Sequence, residues 1–276
     1  MMPPALSPLA DEPSVVGGAG VPLSGRELRG VEEFRAAAAL YSRVFGYESP
    51  EFALNLNLLS ALTQNGGSAV GVFTSAGELI GFAYGFAGRD VSGREFHYSQ
   101  AATVDPRYQG LGVGRTLKHL QARVAERWGH RSMRWTFDPL LARNAHFNFT
   151  SLGATGIEFL PDYYARPGTD RILVEWVLDA QERDRACAHR RASGSAQRPP
   201  TLTENDWGLV RADGDAIWVA VPATAPEPWA AVELRARLGD SLRETISSGH
   251  QLIACVRVSE HTSAYLAVSD NRKESS

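Results

Sequence analysis

Cysteine and lysine are both scarce in this chain of 276 residues, and each scarcity excludes a kind of chemistry. The two cysteines, Cys187 and Cys255, are too few for a disulfide framework or a cysteine-rich zinc site, so we expect no metal centre of that type. The two lysines, Lys118 and Lys273, leave only Lys118 as a candidate for lysine-based covalent chemistry. A reduced, cytoplasmic setting fits this composition.

Long apolar runs and a net positive charge are also missing. No window approaches the roughly 18 consecutive apolar residues that a membrane span needs, so the sequence predicts no transmembrane segment. The N-terminus lacks a basic stretch followed by an apolar core, so no secretory signal is expected. A net charge of −3 gives no basic field that would recruit DNA or RNA. We therefore expect a partner that is neither nucleic acid nor membrane.

The composition is that of a globular protein, with 43% hydrophobic and 21% charged residues. Residues 1–25 are rich in proline, glycine, alanine and serine and predict a flexible leader. Residues 26–180 predict the main domain, residues 181–205 a polar linker, and residues 206–276 a small α/β unit. Because a unit of that size is marginal alone, we expect it to pack on the main domain.

Hydrophobic periodicity changes along the chain between the 3.6-residue period of helices and the two-residue period of strands. It predicts a mixed α/β fold with an α+β mixed sheet, extended at the C-terminus by a strand, a helix and two strands. The predicted strands are 26–31, 69–74, 79–87, 95–104, 133–137, 157–160, 172–178, 217–221, 252–258 and 264–268, and the predicted helices are 32–45, 52–63, 114–128, 143–152 and 229–247.

The segment that joins the predicted strand 95–104 to the predicted helix 114–128 is rich in glycine. Gly110, Gly112 and Gly114 let the backbone turn tightly and approach a ligand without Cβ clashes. The free amides and the dipole at the start of a helix form an anion site suited to a pyrophosphate. Arg107 and Arg115 are candidates for additional charge-assisted bonds.

Two common phosphate-binding loops do not match this segment. A P-loop requires a Gly-Lys-Ser/Thr ending, which is absent here. In the dinucleotide fingerprint G-x-G-x-x-G the third glycine comes three residues after the second, whereas Gly114 follows Gly112 by two. The alternative without a ligand is a tight strand-to-helix turn.

The segment resembles the signature Q/R-x-x-G-x-G/A of the GNAT family of acyl-CoA-dependent N-acyltransferases, and the predicted element order over residues 26–180 is similar to the GNAT fold. The resemblance implies acetyl-CoA or another acyl-CoA as co-substrate, with its pyrophosphate on the loop amides and its pantetheine arm along the preceding strand. The implied coenzyme-binding residues are Ala102, Thr103, Val104, Arg107, Gln109, Gly110, Leu111, Gly112, Val113, Gly114, Arg115, Asn144, Phe147 and Asn148.

A narrower resemblance to one GNAT subgroup covers more of the chain. Its longest run is Trp135-Thr136-Phe137-Asp138-Pro139-Leu140, and it continues through Arg143-Asn144-Ala145, Tyr163-Tyr164 and Asp170-Arg171. Some members are associated with N-succinylamino acid racemases and resemble succinyl-CoA:amino acid N-succinyltransferases. The resemblance implies an amino acid as one candidate acceptor and leaves acetyl and succinyl open as the acyl group. Phe147 fits a packed core as well as a ligand contact.

Amine acylation needs a neutral amine, a polarised thioester carbonyl and a proton for the leaving thiolate. Many GNAT enzymes supply that proton from a tyrosine four residues before the glycine that ends the second core helix. Here the glycine is Gly153 and the position holds Phe149, so the proton comes from Tyr163, Tyr164 or water. Because no Ser-His-Asp or Cys-His pattern is visible, we expect direct attack by the amine.

The candidates for the base lie on the strand before the glycine segment. Tyr98 occupies the position where several GNAT enzymes keep a carboxylate, and His97, on the opposite face, is a candidate base acting through water or an ordinary strand histidine. Asp138 is a candidate for binding the substrate ammonium, or a cap or turn residue. The candidate catalytic residues are thus Tyr98, His97, Asp138, Tyr163 and Tyr164, without a metal.

These patterns predict an N-acyltransferase that transfers an acetyl or other short acyl group from acyl-CoA to a small amine. The alternative is a non-catalytic coenzyme A-binding module with a regulatory or assembly role. A third hypothesis, acylation of a protein N-terminus, requires an open groove. The sequence leaves open whether the protein forms a homodimer, and whether the C-terminal unit is a lid, a dimer contact or a wall of the acceptor site.

Overall fold

The computed structural model describes residues 22–184, 198–227 and 231–269. Residues 1–21 of the predicted leader and residues 185–197 of the predicted linker, with Cys187, lie outside the described residues. Contacts divide the chain into two compact units, Met1–Met133 and Arg134–Ser276. The predicted domain bounds stay a prediction. In the described ranges, no helix combines the length and the apolar character that crossing a membrane requires.

The described part of the first unit, from residue 22 onward, contains four consecutive antiparallel strands and three α-helices. The strands are neighbours in the order β1-β2-β3-β4. In chain order the elements are β1 (Leu23–Glu27), α1 (Gly30–Phe45), α2 (Leu56–Gln64), β2 (Ser68–Thr74), β3 (Leu79–Arg89), β4 (Glu95–Val104) and α3 (Val113–Arg127).

Two apolar clusters hold helices to these strands. Helix α3 is amphipathic and packs its apolar face against Val70 and Ile80. This face includes Val113, Leu117 and Leu120. A second cluster packs α1 and α2 onto β2 and β3, through Phe34, Leu40, Leu59, Phe73 and Phe82. The buried side chain of Val113 therefore anchors the start of α3 to the strands.

The second unit contains the remaining strands, and the division between the units falls within β5 (Ser132–Phe137). The strands are neighbours in the order β5-β7-β6-β10-β11-β9-β8. The other elements are α4 (Ala142–His146), which continues as a π-helical turn (Phe147–Ser151), β6 (Thr155–Leu160), β7 (Arg171–Val177), β8 (Val210–Asp213), β9 (Ala216–Pro222), α5 (Ala231–Ser247), β10 (His250–Arg257) and β11 (Thr262–Ser269). Residues 180–184 are also helical.

The predicted mixed α/β fold is confirmed, and the differences have local causes. The first strand covers Leu23–Glu27 rather than 26–31, since Leu23 is buried and Gly25 passes so close to Leu120 that a Cβ would lie 2.8 Å from it. The predicted helix 52–63 begins only at Leu56, because the Asn55 side chain accepts the amides of Asn57 and Leu58 and caps it.

Two further differences concern the second unit. The predicted helix 143–152 changes at His146 into a π-helical turn. Strand β8 was not predicted, although the dipeptide Asp213-Gly214 between β8 and β9 is a hairpin signal. The predicted helix 229–247 is described from Ala231 onward, since residues 228–230 lie outside the described part.

Candidate functional site

The loop between β4 and α3 contains two glycines in the left-handed region. Gly110 has φ +81° and Gly112 has φ +83°, a conformation that disfavours residues with a Cβ. A Cβ added at Gly110 would meet no atom within 4 Å, so this side of the loop is open. Gly112 is the N-cap of α3 and offers no side-chain cap to the amides that follow.

These amides form a donor set that suits a diphosphate. Among the described residues, no acceptor is found for the N–H groups of Val113, Gly114 and Arg115. The first turn of a 15-residue helix also carries the positive end of the helix dipole. Arg115 adds an exposed guanidinium on that turn. The local structure thus fits the predicted anion, and the predicted loop residues come together around the start of α3.

Arg107 is tied down by acidic neighbours. Its guanidinium lies 2.9 Å from Asp105 and 2.6 Å from Glu78, and Asp105 also caps the turn by accepting the Arg107 amide. This guanidinium holds the pKa of the Asp105 carboxyl well below its usual range. Arg107 therefore orders the turn that precedes the glycines, and its contact with a coenzyme stays a prediction.

The end of β4 is distorted next to the segment predicted for the pantetheine arm. Tyr84 is paired with Ala101 and Gly85 with Ser99, so Gln100 is an extra residue without a partner on β3. A Cβ at Gly85 would overlap the carbonyl oxygen of Tyr98. Beyond this bulge, Ala102 is exposed, Val104 is half-buried and the side chain of Thr103 is buried. Sequence reasoning missed the bulge.

His97 and Tyr98, the candidate bases on β4, are both buried. The His97 Nε2 atom lies 2.8 Å from the Ser68 hydroxyl oxygen, and its ring is 6.0 Å from that of His130. Burial lowers the pKa of His97 to about 3. Tyr98 packs against Phe86, with ring centroids 5.2 Å apart. Their catalytic roles stay predictions.

His97 ends a buried polar chain that sequence reasoning also missed. The Lys118 ammonium donates to Ser99 at 2.8 Å, Ser99 donates to Gln121 at 2.8 Å, and Gln121 donates to Ser68 at 3.1 Å. None of these five side chains is a carboxylate, and burial lowers the pKa of Lys118 to about 7. The spacing of Lys118 and Gln121, on one face of α3, is the only sequence signal for this chain of hydrogen bonds.

In the second unit, Asp138 is engaged in an ion pair. Its two carboxylate oxygens each accept a hydrogen bond from Arg235 at 3.1 Å, and Arg171 lies 4.0 Å away. The Asp138 carboxylate also accepts the amide of Leu140 at 2.9 Å, as a turn residue does. Asp138 and Arg235 line a cavity of about 680 Å³, which we call the first cavity.

The two candidate tyrosines lie in the loop between β6 and β7. Tyr163 and Tyr164 are exposed, with ring centroids 5.0 Å apart, and the Arg171 guanidinium lies 5.0 Å above the Tyr164 ring. The structure thus brings Tyr164 and Asp138 to the same arginine. In this loop Asp162 has φ 44° and Ala165 has φ 53°, conformations that non-glycine residues seldom adopt.

The predicted coenzyme contacts on α4 and the turn after it differ in exposure. Asn144 is exposed and lines a second cavity of about 700 Å³. Phe147 is half-buried, whereas Asn148 is buried and accepts a hydrogen bond from the Trp135 indole at 3.1 Å. Asn148 therefore supports the core of the second unit, and its coenzyme contact stays a prediction. Nowhere in the described ranges do three or more His, Cys, Asp or Glu side chains group as metal ligands would.

Phe149, at the position of the usual tyrosine, is 2% exposed. Its ring meets those of Phe137 and Tyr265 edge-on, at centroid distances of 5.9 and 6.3 Å. The Tyr265 hydroxyl donates to the carbonyl oxygen of Pro139 at 2.6 Å. Aromatic packing with the C-terminal strands thus fills this position.

Several solved structures are similar to the chain at low sequence identity. The protein yncA from Salmonella typhimurium, solved with its cofactor acetyl-CoA, is 20% identical over 57% of this chain and 95% of that chain, with a TM-score of 0.48. The ribosomal-protein-S18-alanine N-acetyltransferase from Escherichia coli is 17% identical over 57% and 94%, with a TM-score of 0.43. Nourseothricin acetyltransferase is 18% identical over 41% and 66%, with a TM-score of 0.36. At these TM-scores the likenesses support no statement about substrate or mechanism.

A family model gives the more specific comparison. No curated protein matches the chain. Residues 31–153 match the model described as the acetyltransferase (GNAT) family, and this segment contains the glycine loop and all of α3 but less than half of the chain. The narrower N-succinyltransferase subgroup stays a prediction. Residues 31–153 are therefore similar to the acetyltransferase (GNAT) family.

Proposed function

We propose that the protein is an acyl-CoA-dependent N-acyltransferase that acylates a small amine. The observation that carries the proposal is the start of α3, where three amides lack an acceptor among the described residues and Gly110 borders open space. The family match over the same residues supports acetyl-CoA as the donor. Two cysteines in 276 residues support a cytoplasmic setting.

In this proposal the amides of Val113, Gly114 and Arg115 bind the diphosphate of the coenzyme, and β4 orients its pantetheine arm. The bulge at Gln100 sets the direction in which the last backbone amides of β4 point. When bound, acyl-CoA supplies an acyl group that is activated as a thioester. Backbone amides near residues 102–104 polarise its carbonyl.

The amine attacks directly, so that a C–N bond forms and the C–S bond breaks with its electrons on sulfur. His97 is buried, and its pKa of about 3 makes it a weak base. The attacking amine therefore loses its proton to water, and the thiolate takes a proton from water or from Tyr163 or Tyr164, which are exposed. The acyl group, acetyl or succinyl, and the proposal of an amino acid acceptor rest on the subgroup resemblance.

The donor site is tested by Gly110→Asp with Gly129→Asp as the matched control. Both glycines have φ above +80° and neither has an atom within 4 Å of an added Cβ, so the strain is similar and aspartate tolerates this conformation. A carboxylate at position 110 would face the diphosphate. We expect calorimetry to show coenzyme A binding weakened at least tenfold in Gly110→Asp and unchanged in Gly129→Asp. Equal affinities in both variants would refute the site.

A second candidate, a coenzyme-binding module without catalysis, is favoured by one set of observations. Phe149 carries no hydroxyl, His97 is buried and Asp138 is paired with Arg235. Release of free thiol from acetyl-CoA and succinyl-CoA over a panel of amines separates the two functions. Turnover supports the enzyme, whereas tight coenzyme binding without thiol release supports the module.

A further inference from the structure

The second cavity, of about 700 Å³, lies in the second unit between α4 and the C-terminal strands. Its described lining contains no aspartate or glutamate. The polar and charged side chains that line it are Arg143, Asn144, His146, Thr224, Arg257 and Ser263. We call it the basic cavity. It shares Leu141 and Ala225 with the first cavity, which contains Asp138.

Arg257, at the end of β10, carries an uncompensated charge into this cavity. Its Nε donates to the carbonyl oxygen of Ser259 at 3.0 Å and its Nη2 to the carbonyl oxygen of Glu260. These neutral acceptors fix the guanidinium without cancelling its charge, and Arg257 forms no salt bridge within the described residues. A fixed guanidinium is a preorganised partner for a planar oxyanion.

The other groups in the cavity do not offset this charge. The His146 Nδ1 atom lies 3.1 Å from the carbonyl oxygen of Cys255, so Nδ1 carries the proton. Burial raises the pKa of the Cys255 thiol to about 12, so the thiol is neutral at physiological pH. Thr224 and Ser263 supply hydroxyl donors.

We infer that the basic cavity binds an oxyanion of a substrate, a carboxylate or a phosphate, with Arg257 as its main anchor. Two sources of this group follow from the proposed function, on which this part of the inference rests. A carboxylate would belong to the acceptor amine, whose amino end then lies toward Asp138. A phosphate would belong to the acyl-CoA, whose contact at Asn144 is already a prediction.

The test compares Arg257→Gln with Arg237→Gln, which removes the same charge from an exposed arginine on α5 outside both cavities. Steady-state kinetics are measured with an amine that bears a carboxylate and with its primary amide, and with acetyl-CoA and its 3′-dephospho form. If Arg257→Gln raises KM at least tenfold for the amine that bears a carboxylate but not for its primary amide, the oxyanion belongs to the acceptor. A coenzyme source is shown if KM rises for acetyl-CoA and not for the dephospho form.

Binding of inorganic phosphate, measured by calorimetry, tests the cavity without relying on catalysis. We expect the wild-type protein and Arg237→Gln to bind it alike, Arg257→Gln to bind at least fivefold more weakly, and Arg257→Lys to recover part of the affinity. If the wild-type protein shows no turnover but phosphate binding follows this pattern, only the proposed function is refuted and the oxyanion site stands. Identical phosphate binding and identical KM values in all variants would overturn the oxyanion site. If Arg257→Gln does not fold, Arg257→Lys against wild type decides on the same readouts.

Discussion

Asp138 and Arg235 form a two-fold hydrogen-bonded ion pair across 97 positions of sequence, with both contacts at 3.1 Å. Asp138 follows β5 and Arg235 lies on α5, so the pair fastens the C-terminal helix to the loop that opens the first cavity. Their side chains are only 23% and 18% exposed. Partial burial makes the loss of one partner costly, because the remaining charge is left without compensation.

The first prediction is that Arg235→Gln lowers the free energy of unfolding by about 1–3 kcal/mol. The matched control is Arg243→Gln, also on α5, whose pair with Asp240 is largely exposed and worth well under about 1 kcal/mol. Urea unfolding of both variants measures the difference. If the double variant Asp138→Asn/Arg235→Gln is more stable than Arg235→Gln alone, the two residues are directly coupled. Equal losses of stability in Arg235→Gln and in the control Arg243→Gln would contradict the prediction.

The second prediction concerns Lys118, whose ammonium is buried at one end of the polar chain. Its pKa is about 7 when folded and near 10.5 when exposed. Between these values the unfolded state binds the extra proton, so this group makes stability rise with pH, by roughly 1.4 kcal/mol per pH unit. That stability is lost as the pH falls from 10.5 to 7.

The test is urea unfolding of the wild type and Lys118→Met at pH 7, 8 and 9, with Leu120→Met on the same helix as a control. The difference in unfolding free energy between wild type and Lys118→Met is expected to shift in favour of the wild type as the pH rises. Leu120→Met is expected to follow the wild type in parallel. A pH-independent difference for Lys118→Met would show that its ammonium stays charged in the fold.

The third prediction is that His97→Gln removes a source of acid destabilisation and leaves the pH dependence of kcat unchanged. The pKa of His97 is about 3 in the fold, below its ordinary value of 6.5, because of burial. The unfolded state therefore binds a proton that the folded state does not, and stability falls as the pH drops from 6.5 toward 3. The wild type should lose stability more steeply over this range than His97→Gln.

Unfolding at pH 4 to 7 and kcat at pH 5 to 9 measure the two effects, with the exposed His261→Gln as a control. If the decrease of kcat at low pH disappears in His97→Gln but not in His261→Gln, His97 is the base, against our expectation. An unchanged profile with altered acid stability supports a structural histidine.

The glycine loop was predictable because its requirements are local. Gly110 and Gly112 adopt positive φ values next to a helix start, and the sequence spacing alone indicates both the turn and the free amides. The cap at Asn55 was also readable, since an asparagine before a helical pattern is a start signal. The sequence analysis nevertheless placed the start of this helix at Phe52, whereas the structure begins it at Leu56.

Long-range partners could not be derived in the same way. Nothing near Asp138 in the sequence indicates Arg235, and nothing near His97 indicates that Ser68 would lie beside it. The hydrogen bond from Gln121 to Ser68 is equally absent from the local pattern. These pairs depend on which strands become neighbours. The bulge at Gln100 depends on the close approach of Gly85 to β4, so it too required the pairing of strands to be known.

The last prediction is that Phe149→Tyr lowers stability without raising kcat. Phe149 is 2% exposed and packed against Phe137 and Tyr265, so an added hydroxyl needs room and a hydrogen-bond partner in a filled site, at a cost of about 1–3 kcal/mol. The control is Phe45→Tyr, whose ring is 44% exposed and whose hydroxyl can reach water. Thermal unfolding and steady-state kinetics with acetyl-CoA measure both effects. Unchanged stability together with a tenfold higher kcat would show that this position does face the leaving thiolate and that its protonation limits the wild type.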